Sequence, residues 1–192
     1  MSRNYELPAH FFNPDDKRSY LLMVFQSTPL VCLAVPAEGG GFRLFDFPDK
    51  TGIYALYLTE TPISDVIPAQ RRAGDLAEAD VAPLKHDLVY VGKTSGKGRL
   101  RRRLSDHYHK IDSRQGLSVD RILVRYLAIE HDWNTLFAEY HLIEAPELVT
   151  HPPPTWNTNG FGSHAPGAGR PGKRAKPPAH FDVLYPTKLC PP

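Results

Sequence analysis

The sequence predicts a small α/β (α+β) fold, a central, mainly antiparallel three-stranded sheet flanked by helices. Three observations predict it. Runs of aliphatic and aromatic residues bounded by turn-forming residues recur at 52–58, 88–93 and 120–129, which is the signature of strands. Two intervening segments carry apolar residues at helical spacing. The length of 192 residues, with 41% hydrophobic and 23% charged residues, suits one domain with a real core.

The elements follow in order. Asn13-Pro14-Asp15-Asp16 reads as a helix start, with Asn13 as cap and proline at the first helical position, and the helix runs to about Gln26. Pro29, Pro36 and Gly39-Gly40-Gly41 then break the chain. Gly52-Ile53-Tyr54-Ala55-Leu56-Tyr57-Leu58 is the first strand. Thr59 to Asp87 is a long polar segment with three prolines and room for a short helix. Leu88-Val89-Tyr90-Val91-Gly92-Lys93 is the second strand, pairing antiparallel with the first. Gly96 to Gly98 turns the chain into a helix from Arg99 to about Ile111, with Leu100, Leu104 and Tyr108 on one face. Asp120 to Ile129 is an aliphatic strand suited to a central position. A helix from Asp132 to Ala145 carries Leu136, Tyr140 and Ile143 at helical spacing. After Pro152-Pro153-Pro154 the Gly/Pro/basic stretch 160–178 reads as loop, and Phe181 to Tyr185 returns to the body as a short strand or packed tail. The whole chain, 1–192, reads as one domain. Its core is about 52–157, with an N-terminal extension at 1–51 and a C-terminal loop and tail at 158–192.

Bulk properties narrow the function. Two cysteines, Cys32 and Cys190, are too few for a disulfide framework and lack the partners of a zinc site, so a reducing, cytoplasmic setting is expected; Cys32 reads as a small buried apolar residue. The start shows no secretory pattern, and no apolar run approaches the ~20 residues of a membrane span. The nine histidines show no metal spacing of the HExxH kind. Net charge is only +2, but between Lys93 and Arg114 eight Lys/Arg face two Asp, and between Asn159 and Pro192 five face one. Local basic stretches of this kind suit a polyanionic partner, because phosphate contacts are local and release counterions.

The motifs sharpen this. Gly52-Ile53-Tyr54 and Tyr90-Val91-Gly92 lie on the two paired strands. Leu100-Arg101-Arg102-Arg103-Leu104-Ser105-Asp106-His107 follows, with Arg103 and His107 at i, i+4 on one helix face. Glu139 precedes Leu142-Ile143-Glu144, and Pro154-Thr155-Trp156-Asn157 comes next. In order and spacing these residues resemble the GIY-YIG nucleases from Gly52 to Asn157, with valine in place of the middle isoleucine of the second element. The chain further resembles the restriction endonucleases of that family that cut a GC-rich palindrome of the CCGCGG type. That likeness includes Phe12-Asn13-Pro14, Gly160-Phe161-Gly162-Ser163-His164, Pro166-Gly167, Gly169-Arg170 and Asp182-Val183-Leu184. It departs at Ala165, where that branch has an acid, and in the 59–87 segment.

The resemblance implies a type II restriction endonuclease hydrolysing DNA phosphodiesters with Mg²⁺ or Mn²⁺. Glu139 would hold the ion, since Mg²⁺ takes oxygen ligands and keeps several waters. Arg103 would donate two hydrogen bonds to the phosphate. Tyr54 would act as general base and Tyr90 as a positioning donor, with the assignment between them open. A base role requires lowering the ordinary tyrosine pKa of ~10. His107 would relay the proton or bind phosphate, His109 being the nearby alternative. Lys93 would act on a tyrosine or on phosphate. Asn157, or Asn159 in its place, would fix Glu139 or a water.

Arg99, Arg102, His164, Arg170, Lys173 and Arg174 are the expected DNA contacts, arginine pairing with guanine O6 and N7. A palindromic target implies a homodimer on double-stranded DNA, with a cognate methyltransferase in the same system and no membrane association. Competing readings are a repair or homing nuclease of the same fold, for which the chain offers little room for further domains, a catalytically silent DNA-binding protein, and an RNA-binding α/β domain, which lacks exposed aromatic stacking motifs.

Overall fold

The computed structural model describes residues 14–94, 99–129, 132–143, 154–161 and 180–188. Helix α1 (Pro14–Ser27) leads into three short strands, β1 (Leu30–Cys32), β2 (Ala34–Pro36) and β3 (Phe42–Leu44). The long strands β4 (Gly52–Thr59) and β5 (His86–Thr94) are separated by a 3₁₀ turn at Ile63–Asp65 and by α2 (Glu78–Val81). Then follow α3 (Leu100–Asp112), a 3₁₀ turn at Val119–Arg121, β6 (Ile122–Ala128), α4 (Asp132–Ile143), α5 (Thr155–Thr158) and α6 (His180–Leu184).

The main sheet has the order β1-β6-β4-β5, with all of its pairs antiparallel. The expected three strands are therefore joined by a fourth, β1, on the outer side of β6. A separate ribbon pairs β2 with β3. These N-terminal strands have three residues each, too few to display a period, and Pro29, Pro36 and the three glycines mark only their ends. Phe181 to Tyr185 also differs from the strand alternative. It forms the short helix α6, packed against the body through Phe181, which is fully buried. Thr155–Thr158 forms the short helix α5, with Pro154 at its N-cap, and the expected loop at 160–178 lies outside the described residues beyond Phe161. The cap Asn13 and the turn at Gly96–Gly98 lie outside the described residues.

Strand alternation divides the core. On one face Tyr54, Leu56, Tyr90, Ile122 and Val124 meet Leu100, Leu104 and Ile111 of α3, and Trp156, Phe161 and Phe181. On the other face Ile53, Ala55, Val91 and Leu127 meet Leu21, Leu22 and Phe25 of α1 and Ala138 and Leu142 of α4. Both faces of β4 and β6 are covered, which explains why they read as continuous apolar runs rather than alternating ones. Each leucine that α3 buries contributes about 1.5–3 kcal/mol.

Two charged side chains, half-buried Arg125 and buried Asp120, tie the flanking segments down. Arg125 of β6 donates to the carbonyls of Phe25, Gln26 and Thr28, groups that the end of α1 leaves without helical partners. Asp120 is 4% exposed and accepts from Arg72 Nη1 at 3.1 Å and from the Ser64 hydroxyl. It thereby fastens the 60–84 segment to the start of β6. Cys32 is buried, as expected, and burial raises its thiol pKa to about 12, with Arg72 opposing. No described helix is long and apolar enough to cross a membrane.

Removing one partner of a buried ion pair leaves the other uncompensated, which costs about 3–5 kcal/mol. Asp120→Ala is therefore expected to lower the unfolding free energy by that amount, read as a lower urea midpoint at unchanged m. An unchanged midpoint would show that Arg72 finds water or another acceptor.

Candidate active site

The two strand motifs are brought face to face by register. Tyr54 of β4 lies opposite Gly92 of β5, and Leu56 lies opposite Tyr90, so the two tyrosines share a sheet face on a diagonal. Their ring centroids are 6.0 Å apart. The approach depends on the missing side chain at Gly92. A Cβ there would stand 2.6 Å from Tyr54 Oη and 2.7 Å from Tyr90 Cε1.

Helix α3 completes this group. Leu100, Leu104 and Ile111 anchor it, and the same buried face presents His107, which is 2% exposed. His107 Nε2 lies 2.7 Å from Tyr54 Oη. The Tyr90 ring meets the imidazole edge-on at 5.1 Å. Arg103, one turn before His107, hydrogen-bonds both tyrosines. The i, i+4 pair thus converges as the spacing predicts. His109 is exposed and meets the Tyr108 ring instead.

Electrostatics set the protonation of the group. Burial pushes the Tyr54 hydroxyl well above the ordinary tyrosine range, Tyr90 adds to this, and Arg103 opposes it. Tyr54 therefore keeps its proton in the free protein. Burial also depresses His107 well below the ordinary histidine range, and the Arg103 and Lys110 cations push the same way, so the imidazole is uncharged at neutral pH. Burial works against the charge on Arg103 itself, but the two tyrosines more than offset this and raise its pKa.

Lys93 and Glu139 form a second group. Lys93 Nζ is 3.2 Å from Glu139 Oε2, each side chain about one-quarter exposed. Strand alternation puts Lys93 on the α1/α4 face of β5, opposite to Tyr90 and Gly92. The two groups thus flank the same four residues of one strand. Among the described residues no cluster of three or more His, Cys, Asp or Glu is arranged to hold a metal. A hard divalent cation at Glu139 would have to complete its shell with water and phosphate oxygens, which is how Mg²⁺ is commonly held.

Asn157 has a different partner from the expected Glu139 or water. Its Oδ1 accepts from Val91 N and its Nδ2 donates to Val91 O, both at 2.8 Å. β5 is an outer strand, so Val91 turns its backbone groups away from β4, and the amide of Asn157 replaces a missing neighbour strand. This fixes β5 between Tyr90 and Gly92. Asn159 instead accepts from Phe161 N at 3.2 Å, shaping the turn through Gly160 at φ +96°.

Among the expected DNA contacts, Arg99 pairs with Asp49 at 2.9 Å and Arg102 is exposed on α3. His164, Arg170, Lys173 and Arg174 lie outside the described residues. Sequence reasoning gave no role to Lys110, which donates to Phe161 O at 2.9 Å, or to Phe161, which lies against His107. Contacts across 51 positions leave no local signal. A groove of about 680 Å³ lies elsewhere, between the end of α1 and the 76–86 segment, and none of these residues lines it.

Paired tyrosines on antiparallel strands, facing an arginine- and histidine-bearing helix, define the GIY-YIG nuclease class that the sequence resembles. Residues 46–190 match the family model described as the Eco29kI GIY-YIG domain, well over half of the chain, and the protein belongs to that family of restriction-type DNA endonucleases. No curated protein matches the chain.

Two outcomes are expected. Below the ordinary histidine pKa of 6.5 the unfolded chain takes up a proton at residue 107 and the folded chain does not, so stability falls as pH drops. Urea melts at pH 7 and pH 5 should show a larger loss for the parent than for His107→Leu; equal losses would mean that His107 titrates normally. Gly92→Ala should displace one or both tyrosines and abolish cleavage while the protein remains folded by circular dichroism. Retained cleavage would show that the close approach is dispensable.

Proposed function

We propose that the protein is a type II restriction endonuclease, hydrolysing DNA phosphodiesters at a specific GC-rich palindrome with Mg²⁺ or Mn²⁺. The observation that carries this reading is the buried Tyr54–His107 hydrogen bond with Arg103 at both tyrosine hydroxyls, an acid–base pair beside a phosphate-binding cation.

In this mechanism Arg103 leaves the tyrosines for the scissile phosphate, where its planar fork donates two hydrogen bonds. That move opens Tyr54, which is fully enclosed in the free protein, to the attacking water. Tyr54 takes the water's proton as its own hydroxyl proton passes to Nε2 of the uncharged His107, so no tyrosinate accumulates. Tyr90 orients the water, and Asn157 holds β5 so that Tyr90 keeps its place. Glu139 is the residue that would hold the divalent ion, which supplies Lewis-acid stabilisation of the phosphate and the leaving oxygen. With an ion at Glu139, Lys93, now paired with that carboxylate, would be free to turn to phosphate.

Arg99 and Arg102 contact the DNA backbone, and His164, Arg170, Lys173 and Arg174 read bases from the 158–192 segment. A homodimer cutting both strands follows from a palindromic site, with a cytoplasmic location and a cognate methyltransferase protecting host DNA.

The purified protein incubated with unmethylated plasmid DNA should give discrete fragments with Mg²⁺ and none with EDTA. Glu139→Gln should lose the cleavage but keep binding in a gel shift, and Tyr54→Phe should lower kcat by about 10²-fold or more. DNA that is bound but left intact under every metal condition would instead identify a silent DNA-binding protein of this fold.

A further inference from the structure

We propose that Phe161 is a positioning residue for the proton transfer, its ring fixing the plane of the His107 imidazole so that Nε2 stays directed at the Tyr54 hydroxyl. The inference rests on the nuclease reading above. The two rings are stacked, with centroids 4.7 Å apart and planes 17° from parallel. The other aromatic neighbours of His107 are inclined, Tyr54 at 54° and Tyr90 at 65°. Phe161 therefore supplies the one near-parallel surface among these ring contacts. The need for it is physical. The second side-chain torsion of histidine is broad, and a single hydrogen bond to Nε2 leaves the ring free to rock about that bond.

Phe161 is itself held from several directions. It is 2% exposed and packs against Trp156 at 4.6 Å, Phe181 at 4.8 Å and Tyr90 at 5.2 Å. Its carbonyl accepts from Lys110 Nζ at 2.9 Å, and the same ammonium lies 5.1 Å from its ring centroid. Lys110 follows His107 by three residues on α3, so one helix carries both the imidazole and the tether of its stacking partner. Phe161 thus acts from the C-terminal segment on a catalytic helix 50 or so positions away. The groups facing His107 are Arg103 and Lys110 of α3, Tyr54 of β4, Tyr90 of β5 and Phe161. Both cations disfavour an imidazolium there. The Phe161 π-face opposes them when the proton arrives, because an aromatic face attracts a cation.

The test uses Phe161→Leu and Phe161→Met in the full chain. Both keep an apolar side chain and remove the flat face, and the flexible methionine guards against a leucine variant that folds poorly. At saturating DNA kcat should fall on the order of tenfold, a part of what general acid–base catalysis contributes, with KM unchanged. The same substitution should cost nothing further in a His107→Ala background. Without DNA or metal, ¹⁵N-resolved imidazole spectra of the parent should show an uncharged His107 in one tautomer, protonated at Nδ1. Its ring protons should be shifted by the Phe161 ring current, and the variants should show averaged signals.

A loss confined to KM, a loss equally large without His107, or imidazole spectra identical in parent and variants would each overturn the proposal. Failure of the parent to cut any DNA would instead sink the nuclease reading and the proton transfer with it, while the spectra would still report whether Phe161 orders the ring.

Discussion

The site depends on an absence, the missing side chain at residue 92. The register sets Tyr54 opposite Gly92, and the space a Cβ would fill holds the Tyr54 hydroxyl and the edge of the Tyr90 ring. Any side chain there would move one of the two tyrosines, and Tyr54 cannot move without breaking its 2.7 Å bond to His107. Because that bond lies inside an apolar cluster, losing it would strip the buried His107 Nε2 of this partner, which is costlier than losing the same bond at the surface. Sheet register, helix position and protonation are therefore one linked arrangement.

The parts of the fold legible in the sequence are those whose signal is local. β4 and β6 are buried on both faces and read as unbroken apolar runs, while α3 shows Leu100 and Leu104 one turn apart. Arg103 and His107 are singled out by family likeness, and their i, i+4 spacing sets them on one helix face. The parts that escaped are short or non-local. β1, β2 and β3 have three residues each, and α6 has five, barely more than a turn, so neither kind displays a period. Asn157 was singled out only through family likeness, and its partner Val91 is 66 residues away. The contact between Lys110 and Phe161 is equally non-local, and a Lys on a basic helix reads as solvated surface.

Strand β5 serves as a beam between two chemically distinct sides. The aromatic and guanidinium group lies on one face, in surroundings that keep Tyr54 protonated and His107 uncharged. The Lys93–Glu139 pair lies on the other, in partial contact with solvent. Burial governs charge on the first side, and exposure leaves the second open to exchange of ions and water. The separation is one strand thick, so small shifts of β5 change the relation between the two sides, and the clamp at Val91 limits them.

That clamp has a counterpart at the far side of the sheet, where Leu76 N donates to Leu30 O at 2.9 Å and closes the outer flank of β1. Each rim of the four-stranded sheet thus carries a plug, a side-chain amide on one and a loop backbone on the other. A second copy would find neither rim free to receive a strand at these positions. Sheet continuation, a usual route to fibrous polymers, is opposed at these two positions. Growth of this sheet by strand addition is therefore hindered where the two plugs sit.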